Sequence, residues 1–291
     1  MSGGRIYRNW DRASLDVQYD NRARVPDHDV HFTRWREWSA ETRRDLTHHA
    51  ELAYGPAPLE TLDLFPAGGR GAPLFVFIHG GYWRSLDKSD FSYVARGLRP
   101  HGITTAIINY PLAPAADLDT ITQETCAAIA WLWRHAEEYG ADRHRIFVVG
   151  HSAGGHLATM ALAADWVRLA PDLPPQVVAG ASSISGIYDL EPIRLCYLNE
   201  TLGMDAAMAW RNSPVRLDYP EPASFQIILG DLESEEYHRQ ALAMAARWSV
   251  FHGKLEVIVA EGLDHFSIMD GMNDPASDLV ARVLSWSLKG R

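Results

Sequence analysis

The chain has 291 residues, 47% of them hydrophobic, and a formal charge of −10 from 27 basic and 37 acidic side chains. That balance argues against nucleic acid and anionic membrane surfaces as partners. Its two cysteines, Cys126 and Cys196, make neither a disulfide framework nor a thiolate metal cluster. No apolar run approaches the roughly 18 residues needed to cross a bilayer. Met1-Ser2-Gly3-Gly4-Arg5 does not open a signal peptide, so a cytoplasmic setting is expected. There is no HExxH, CxxC, phosphate-cradling Gly-Lys-Ser/Thr loop or dinucleotide fingerprint, and no cofactor or metal is expected.

Residues 1–47 are rich in Arg, Asp, Tyr and Trp and are expected to form a cap or lid segment beside a catalytic domain spanning 48–291. Within them, Arg34-Trp35-Arg36 and Arg43-Arg44 are interrupted by acids and read as a solvated helix face. From residue 48 onward the pattern alternates as parallel strands joined by helices do. Two short strands are predicted at 51–54 and 61–65, around a turn containing Gly and Pro. Leu74-Phe75-Val76-Phe77-Ile78 is a continuous apolar run, as expected of a central strand buried on both faces. It leads into His79-Gly80-Gly81-Tyr82-Trp83, where glycines let the backbone approach a ligand without a Cβ in the way. A helix is predicted near 88–99 and a strand at 104–110. The spacing of Ile121, Thr125, Ile129, Leu132 and Trp133 predicts a helix over 119–139.

The strand at 145–149 runs into Gly150-His151-Ser152-Ala153-Gly154, and a helix-compatible run from Gly155 to Ala164 follows. Strand, Gly-x-Ser-x-Gly, helix is the setting of a nucleophile elbow, which holds Ser152 exposed at the tip of a sharp turn. A hydroxyl is a poor nucleophile near neutral pH, so a base and an orienting acid are required, in the chain order Ser, then Asp or Glu, then His. A strand at 177–184 precedes an insertion at about 187–222 that carries Tyr188, Tyr197, Trp210 and Tyr219. Inserted segments at strand C-terminal ends overlie the site in open α/β sheets. This one is expected to be a partial cap with aromatic walls, Tyr188 a candidate substrate contact, although packing is the ordinary role of any single aromatic.

The strand at 225–230 ends in Asp231-Leu232-Glu233. The strand at 255–260 ends in Glu261-Gly262-Leu263-Asp264-His265-Phe266. Among 13 histidines, His265 has the loop position and chain order of the base. His151 and His156 flank the serine, but an elbow directs an adjacent side chain away from the hydroxyl. Glu233, third after the strand-end Gly230, is the preferred acid, with Asp231 its rival and Asp264 read as loop-shaping. A closing helix is predicted at 275–288. The amides of Gly81 and Tyr82, joined by that of Ala153, are expected to hold the developing alkoxide. His79 is read as structural. Trp83 either stacks on a substrate ring or braces this loop.

His-Gly-Gly-Tyr-Trp, Gly-His-Ser-Ala-Gly-Gly-His and Asp264-His265-Phe266 resemble the α/β-hydrolase superfamily. More narrowly they are similar to its kynurenine formamidase (arylformamidase) branch, whose oxyanion motif ends in Trp. The similarity extends through Asn109-Tyr110-Pro111-Leu112-Ala113-Pro114, Ser185-Gly186-Ile187-Tyr188-Asp189-Leu190-Glu191-Pro192 and Glu236-Tyr237-His238-Arg239-Gln240, roughly from residue 50 to the end. The resemblance implies an α/β-hydrolase fold, with a mostly parallel sheet of about eight strands flanked by helices and a partial cap. It implies acyl-enzyme hydrolysis of a small aromatic molecule, an N-formyl aryl amide such as N-formyl-L-kynurenine. The alternative is a carboxylesterase or amidase acting on small aryl esters, amides or carbamates. Glu233 departs from the Asp of animal members. The closing helix and outer strands are compatible with a homodimer.

Overall fold

The computed structural model describes residues 4–218, 223–250 and 254–287. Its strands are β1 (His49–Ala53), β2 (Thr61–Phe65), β3 (Ala72–Ile78), β4 (Thr104–Ile108), β5 (Ala141–His151), β6 (Val178–Ile184), β7 (Ser224–Gly230) and β8 (Lys254–Ala260). They form one sheet of eight strands in the order β1-β2-β4-β3-β5-β6-β7-β8. The β1–β2 and β2–β4 pairs are antiparallel, and every later pair is parallel. The chain reverses its direction of progress across the sheet between β3 and β5. That switch point opens a crevice at the carboxyl ends of the two strands.

Three helices precede the sheet: α1 (Arg12–Tyr19), α2 (Asn21–Arg24) and α3 (His28–Asp45). The crossovers carry α4 (Tyr93–Leu98), α5 (Leu118–His135), α6 (Ala153–Leu162) and α7 (Trp166–Leu169). Between β6 and β7 lie α8 (Glu191–Leu195), α9 (Asn199–Leu202) and α10 (Ala206–Arg211), and α11 (Glu235–Trp248) links β7 to β8. The chain closes with α12 (Ser267–Asp270) and α13 (Asp278–Ser287). The expected helix at 88–99 is a 3-10 turn, Lys88–Asp90, followed by α4. Residues 219–222 of the expected insertion, with Tyr219, and Leu288 of the expected closing helix lie outside the described residues.

Side-chain alternation divides the interior into two cores. From β3, Leu74, Val76 and Ile78 join Ile121 and Ile129 of α5, Leu157 of α6 and Met244 of α11 on one face. Phe75 and Phe77 join Val94 and Leu98 of α4 and Val280 and Val283 of α13 on the other. Burial on both faces is why β3 reads as an unbroken apolar run.

The N-terminal helices are docked onto this frame, which corrects the reading of α3 as a solvated face. Trp35, Ser39 and Thr42 repeat at helical spacing and are all buried. Trp35 packs against Phe91, Tyr93 and Phe266. Its Nε1–H donates to Asp270 Oδ1 at 2.8 Å, and Arg34 Nη1 donates to Asp270 Oδ2 at 2.6 Å. Arginines on either side of a tryptophan hid the buried stripe, because each arginine faces outward or reaches a carboxylate at the rim. Truncating a buried tryptophan such as Trp35 to alanine typically costs about 3–5 kcal/mol.

Candidate active site

Ser152 sits between β5 and α6 with φ 56° and ψ −118°, in the left-handed half of the map that a side chain normally avoids. The turn is held from both sides. The Ser152 amide donates to the Ile184 carbonyl at 2.8 Å, tying the elbow to β6. A Cβ on Gly154 would stand 2.0 Å from the Ile78 carbonyl, so glycine there lets α6 start directly against β3. Ala153 is consequently the first residue of α6, and its amide is one of those a helix leaves without an intrahelical acceptor.

Ser152 Oγ lies 3.0 Å from His265 Nε2, and His265 Nδ1 lies 2.8 Å from Glu233 Oε2. This chain of contacts corresponds to the serine donating to Nε2 while Nδ1–H donates to the carboxylate. All three side chains are buried. The other Glu233 oxygen, Oε1, accepts from Ser185 Oγ at 2.6 Å and from the Gly230 amide at 2.9 Å. A buried carboxylate with that many donors is satisfied as an anion. Asp231 is exposed and stands outside this chain. The two loops that meet here are joined by backbone bonds from Asp231 to the Ala260 carbonyl and from Leu232 to the Leu263 carbonyl, both 3.1 Å. Asp264 shapes its loop as expected, accepting the Phe266 and Ser267 amides at 2.7 and 2.9 Å.

The loop after β3 bends through three consecutive positive-φ residues, Gly81 at 108°, Tyr82 at 50° and Trp83 at 56°. Position 81 has no room for a side chain, since a Cβ would fall 2.2 Å from the Ser85 carbonyl. Non-glycine residues in this region are strained and persist only when their surroundings fix them. Trp83 is fully buried, its ring edge-on to His156 at 5.0 Å, and its carbonyl accepts the Ala113 amide at 2.8 Å. The Tyr82 hydroxyl donates to the Tyr19 carbonyl at 2.7 Å and accepts from Asn21 Nδ2 at 3.1 Å. His79 is stacked on Tyr110 and bonds the Gly80 carbonyl at 2.8 Å, a structural position.

A cavity of about 220 Å³ opens over Ser152 and His265. Gly81, Tyr82, His151 and Phe266 line it from the sheet side, Asp20, Asn21, Arg22, Phe32 and Trp35 from the N-terminal helices, and Tyr197 from the insertion. Trp83, expected either to stack on a substrate ring or to brace its loop, and Tyr188, a candidate substrate contact, do not line this cavity. Trp83 braces the loop from below. Tyr188 is buried with its hydroxyl on Ser183 Oγ at 2.8 Å and its amide on Gln240. Burial holds its phenol above the usual tyrosine range. Trp210 faces solvent under the guanidinium of Arg216.

His151 has no bond to the serine hydroxyl among the described residues, but it lines the cavity. Its Nε2–H donates to the His265 carbonyl at 2.8 Å, and the two rings lie 4.8 Å apart. Burial, and after it the neighbouring His265, push the His151 imidazole well below the ordinary histidine range. It is therefore a neutral clamp on the backbone of the next histidine. His156 bonds the Asn212 carbonyl at 2.7 Å and pins α6 to the insertion. The residues that sequence reading passed over are Ser185, Tyr237 and the cavity wall from α2 and α3. Ser185 and Tyr237 stood inside quoted motifs, but nothing near them in sequence reveals that they meet Glu233 and His265. Tyr237 packs its ring 4.9 Å from that of His265.

A family model described as BD-FAE matches residues 62–172, a span running from β2 through the elbow. The kynurenine formamidase of Danio rerio is 31% identical over 232 residues, covering 77% of this chain and 76% of that protein. That of Salmo salar is 29% identical over 254 residues, covering 84% and 83%. The crystal structure of a Silicibacter protein named as a thioesterase superposes with a TM-score of 0.82 at 31% identity, covering 92% of this chain and 97% of that one. With that identity sustained over three quarters of both sequences, and an α/β-hydrolase sheet carrying the elbow, the chain belongs to the kynurenine formamidase family of α/β-hydrolases and is a hydrolase of the arylformamidase and carboxylesterase type.

Proposed function

We propose that the protein hydrolyses small N-formyl aryl amides, N-formyl-L-kynurenine first among them, through a formyl-enzyme on Ser152. The observation that carries the reading is the unbroken chain Ser152–His265–Glu233 at the floor of an aromatic-walled cavity. His265 Nε2 takes the Oγ proton as Oγ bonds to the formyl carbon. Glu233 holds the imidazole in the required tautomer and stabilises its charged form. The amides of Gly81, Tyr82 and Ala153 receive the negative oxygen, each such donor being worth about 3–4 kcal/mol in the transition state. As the C–N bond breaks, His265 returns its proton to the leaving aryl amine. Water, deprotonated by the same histidine, then attacks the formyl ester, releases formate and restores Ser152.

The relatives named kynurenine formamidase support the choice of amide and acyl group. A formyl group asks for little acyl space, and an aryl amine leaves more readily than an alkyl amine. A cytoplasmic location is part of the same reading, supported by two free, buried cysteines. No helix among the described residues is long and apolar enough to cross a membrane. A homodimer through the outer strands or α13 is tested by sedimentation velocity. The function itself is tested by kcat/KM on N-formyl-L-kynurenine beside p-nitrophenyl acetate, with Ser152→Ala as blank. A preference for the formamide that vanishes in the blank supports it. Activity on the activated ester alone would redirect the search to other aryl esters and amides.

A further inference from the structure

The cavity is not uniformly apolar. Phe32, Trp35 and Phe266 make one aromatic cluster, with the Phe32 and Phe266 rings edge-on at 5.2 Å. Arg84, Arg22 and Asp20 bring three formal charges to the same lining. Arg84 is half-buried, its Nη1 donating to Thr201 Oγ1 at 3.1 Å and its guanidinium lying 5.7 Å from the Tyr197 ring centre. Arg22 lies over Phe32 at 5.4 Å. Comparable arginines, Arg194 and Arg239, are paired with Glu191 and Glu236. Arg84 and Arg22 have no carboxylate partner among the described residues. In a chain of net charge −10, a half-sequestered guanidinium held by one hydroxyl and one ring keeps most of its five N–H donors free. Its planar fork matches a carboxylate better than any other common anion except phosphate. Asp20 accepts the Ala23 amide through Oδ1, and its second oxygen has no partner among the described residues.

We propose that this lining is an amino-acid subsite: Arg84, with Arg22, binds a carboxylate on the aryl leaving group, and Asp20 meets the accompanying ammonium. The aromatic cluster takes the ring, and Ser152 meets the formyl carbon. The inference rests on the function proposed above and assigns the residues that select for the charged side chain of its substrate.

The test compares N-formyl-L-kynurenine with formanilide, which has the same scissile bond and no charge. In Arg84→Gln the ratio of their kcat/KM values falls about tenfold or more, chiefly through KM, as expected for a lost charge-assisted hydrogen bond. Arg84→Lys recovers part of it. Arg22→Gln, at an exposed position, gives a smaller fall in the same direction and carries the test if Arg84→Gln does not fold. A ratio within about twofold of the parent in both Gln variants overturns the subsite. A parallel arm pairs the acetate ester of ortho-hydroxyphenylpropanoate with phenyl acetate. If the formamides are inert but this ester pair shows the Arg84-dependent fall, the formamidase reading fails and the subsite stands. If neither pair shows it, the subsite fails.

Discussion

The loops at the carboxyl ends of the strands and the N-terminal helices that roof them are built on different principles. In the loops, Ser152, Glu233 and His265 are each placed within a few residues of a strand end, on loops held by backbone contacts. The Ser152 amide is bonded to β6, and the Asp231 and Leu232 amides to the β8 strand end and its loop. In the roof, side chains do the positioning, across most of the chain length. Tyr19 donates to Glu236 at 3.0 Å, Gln240 to Tyr19 at 2.8 Å, Tyr7 to Asp189 at 2.9 Å and Trp35 to Asp270 at 2.8 Å. The first arrangement fixes what chemistry is possible. The second fixes how tightly the first is held and what can reach it, so damage to the loops and to the roof separates into different kinetic signatures.

The sharpest break in that division is Ser152→Ala, which is expected to lower kcat about a millionfold, as loss of a triad nucleophile does elsewhere. Unfolding by urea should be unchanged, because alanine inherits the same positive φ. Turnover within an order of magnitude of the parent would remove Ser152 from the mechanism. Next in size is Glu233→Gln, with an expected loss of about ten-thousandfold in kcat through the wrong imidazole tautomer. Asp231→Asn, at an exposed position two residues away, should lose little. The reverse order, measured under the same conditions, would hand the orienting role to Asp231.

Those loop positions were readable because their requirements are local. A serine at the tip of a strand–turn–helix, a glycine where a Cβ would strike a carbonyl, and an acid and a histidine after two apolar strands all leave short-range marks. At His151 the sequence says only that the side chain leaves the hydroxyl; that it then clamps the His265 carbonyl depends on a loop more than a hundred residues away. For Trp83 the sequence leaves stacking and bracing both open, and the buried ring takes the bracing role, because a strained loop needs a buried anchor. Tyr188, a candidate contact by its place in the insertion, is buried instead. For the roof no local mark exists. Trp35 carries a periodic signal with Ser39 and Thr42, masked by flanking arginines. Asn21, Arg22 and Arg84 have ordinary neighbours, and only the folded sheet brings them to one cavity.

A third expectation probes the seam between loops and insertion. Burial lowers the His156 pKa to about 4 from an ordinary value of 6.5, opposed only in part by its bond to the Asn212 carbonyl. The neutral form is favoured in the native state. Its contribution is therefore complete above pH 6.5 and is lost as the pH falls toward 4, where protonation favours the unfolded chain. The loss is about 3 kcal/mol at the lower end of that window, with the His151 imidazole, also held neutral by burial, acting in the same direction. Urea midpoints at neutral pH and near pH 4.5 measure it. His156→Gln, which keeps a donor for Asn212, should show a smaller acid loss. An equal loss in both proteins would place the acid sensitivity elsewhere.

The smallest effect is the one that asks whether the roof only covers the loops or holds them in working geometry. Asn21 Nδ2 donates to the hydroxyls of Tyr82 and Tyr237, at 3.1 and 2.9 Å. Tyr82 carries a proposed oxyanion amide on a strained backbone, and Tyr237 packs on the His265 ring. Removing this donor takes one partner from each hydroxyl, which otherwise keep only each other and, for Tyr82, the Tyr19 carbonyl, at a cost of up to about 1–3 kcal/mol. A loop held at positive φ has that energy available to relax, which moves the Tyr82 amide away from the oxygen it serves. Asn21→Ala is accordingly expected to lower kcat about tenfold with KM nearly constant. Asn21→Leu, close in volume and unable to hydrogen-bond, should behave alike, which separates the hydrogen bond from packing. Were both variants less stable but equally fast, Asn21 would be a fastener of the roof, and the oxyanion loop would owe its shape to Gly81 and the buried Trp83 alone.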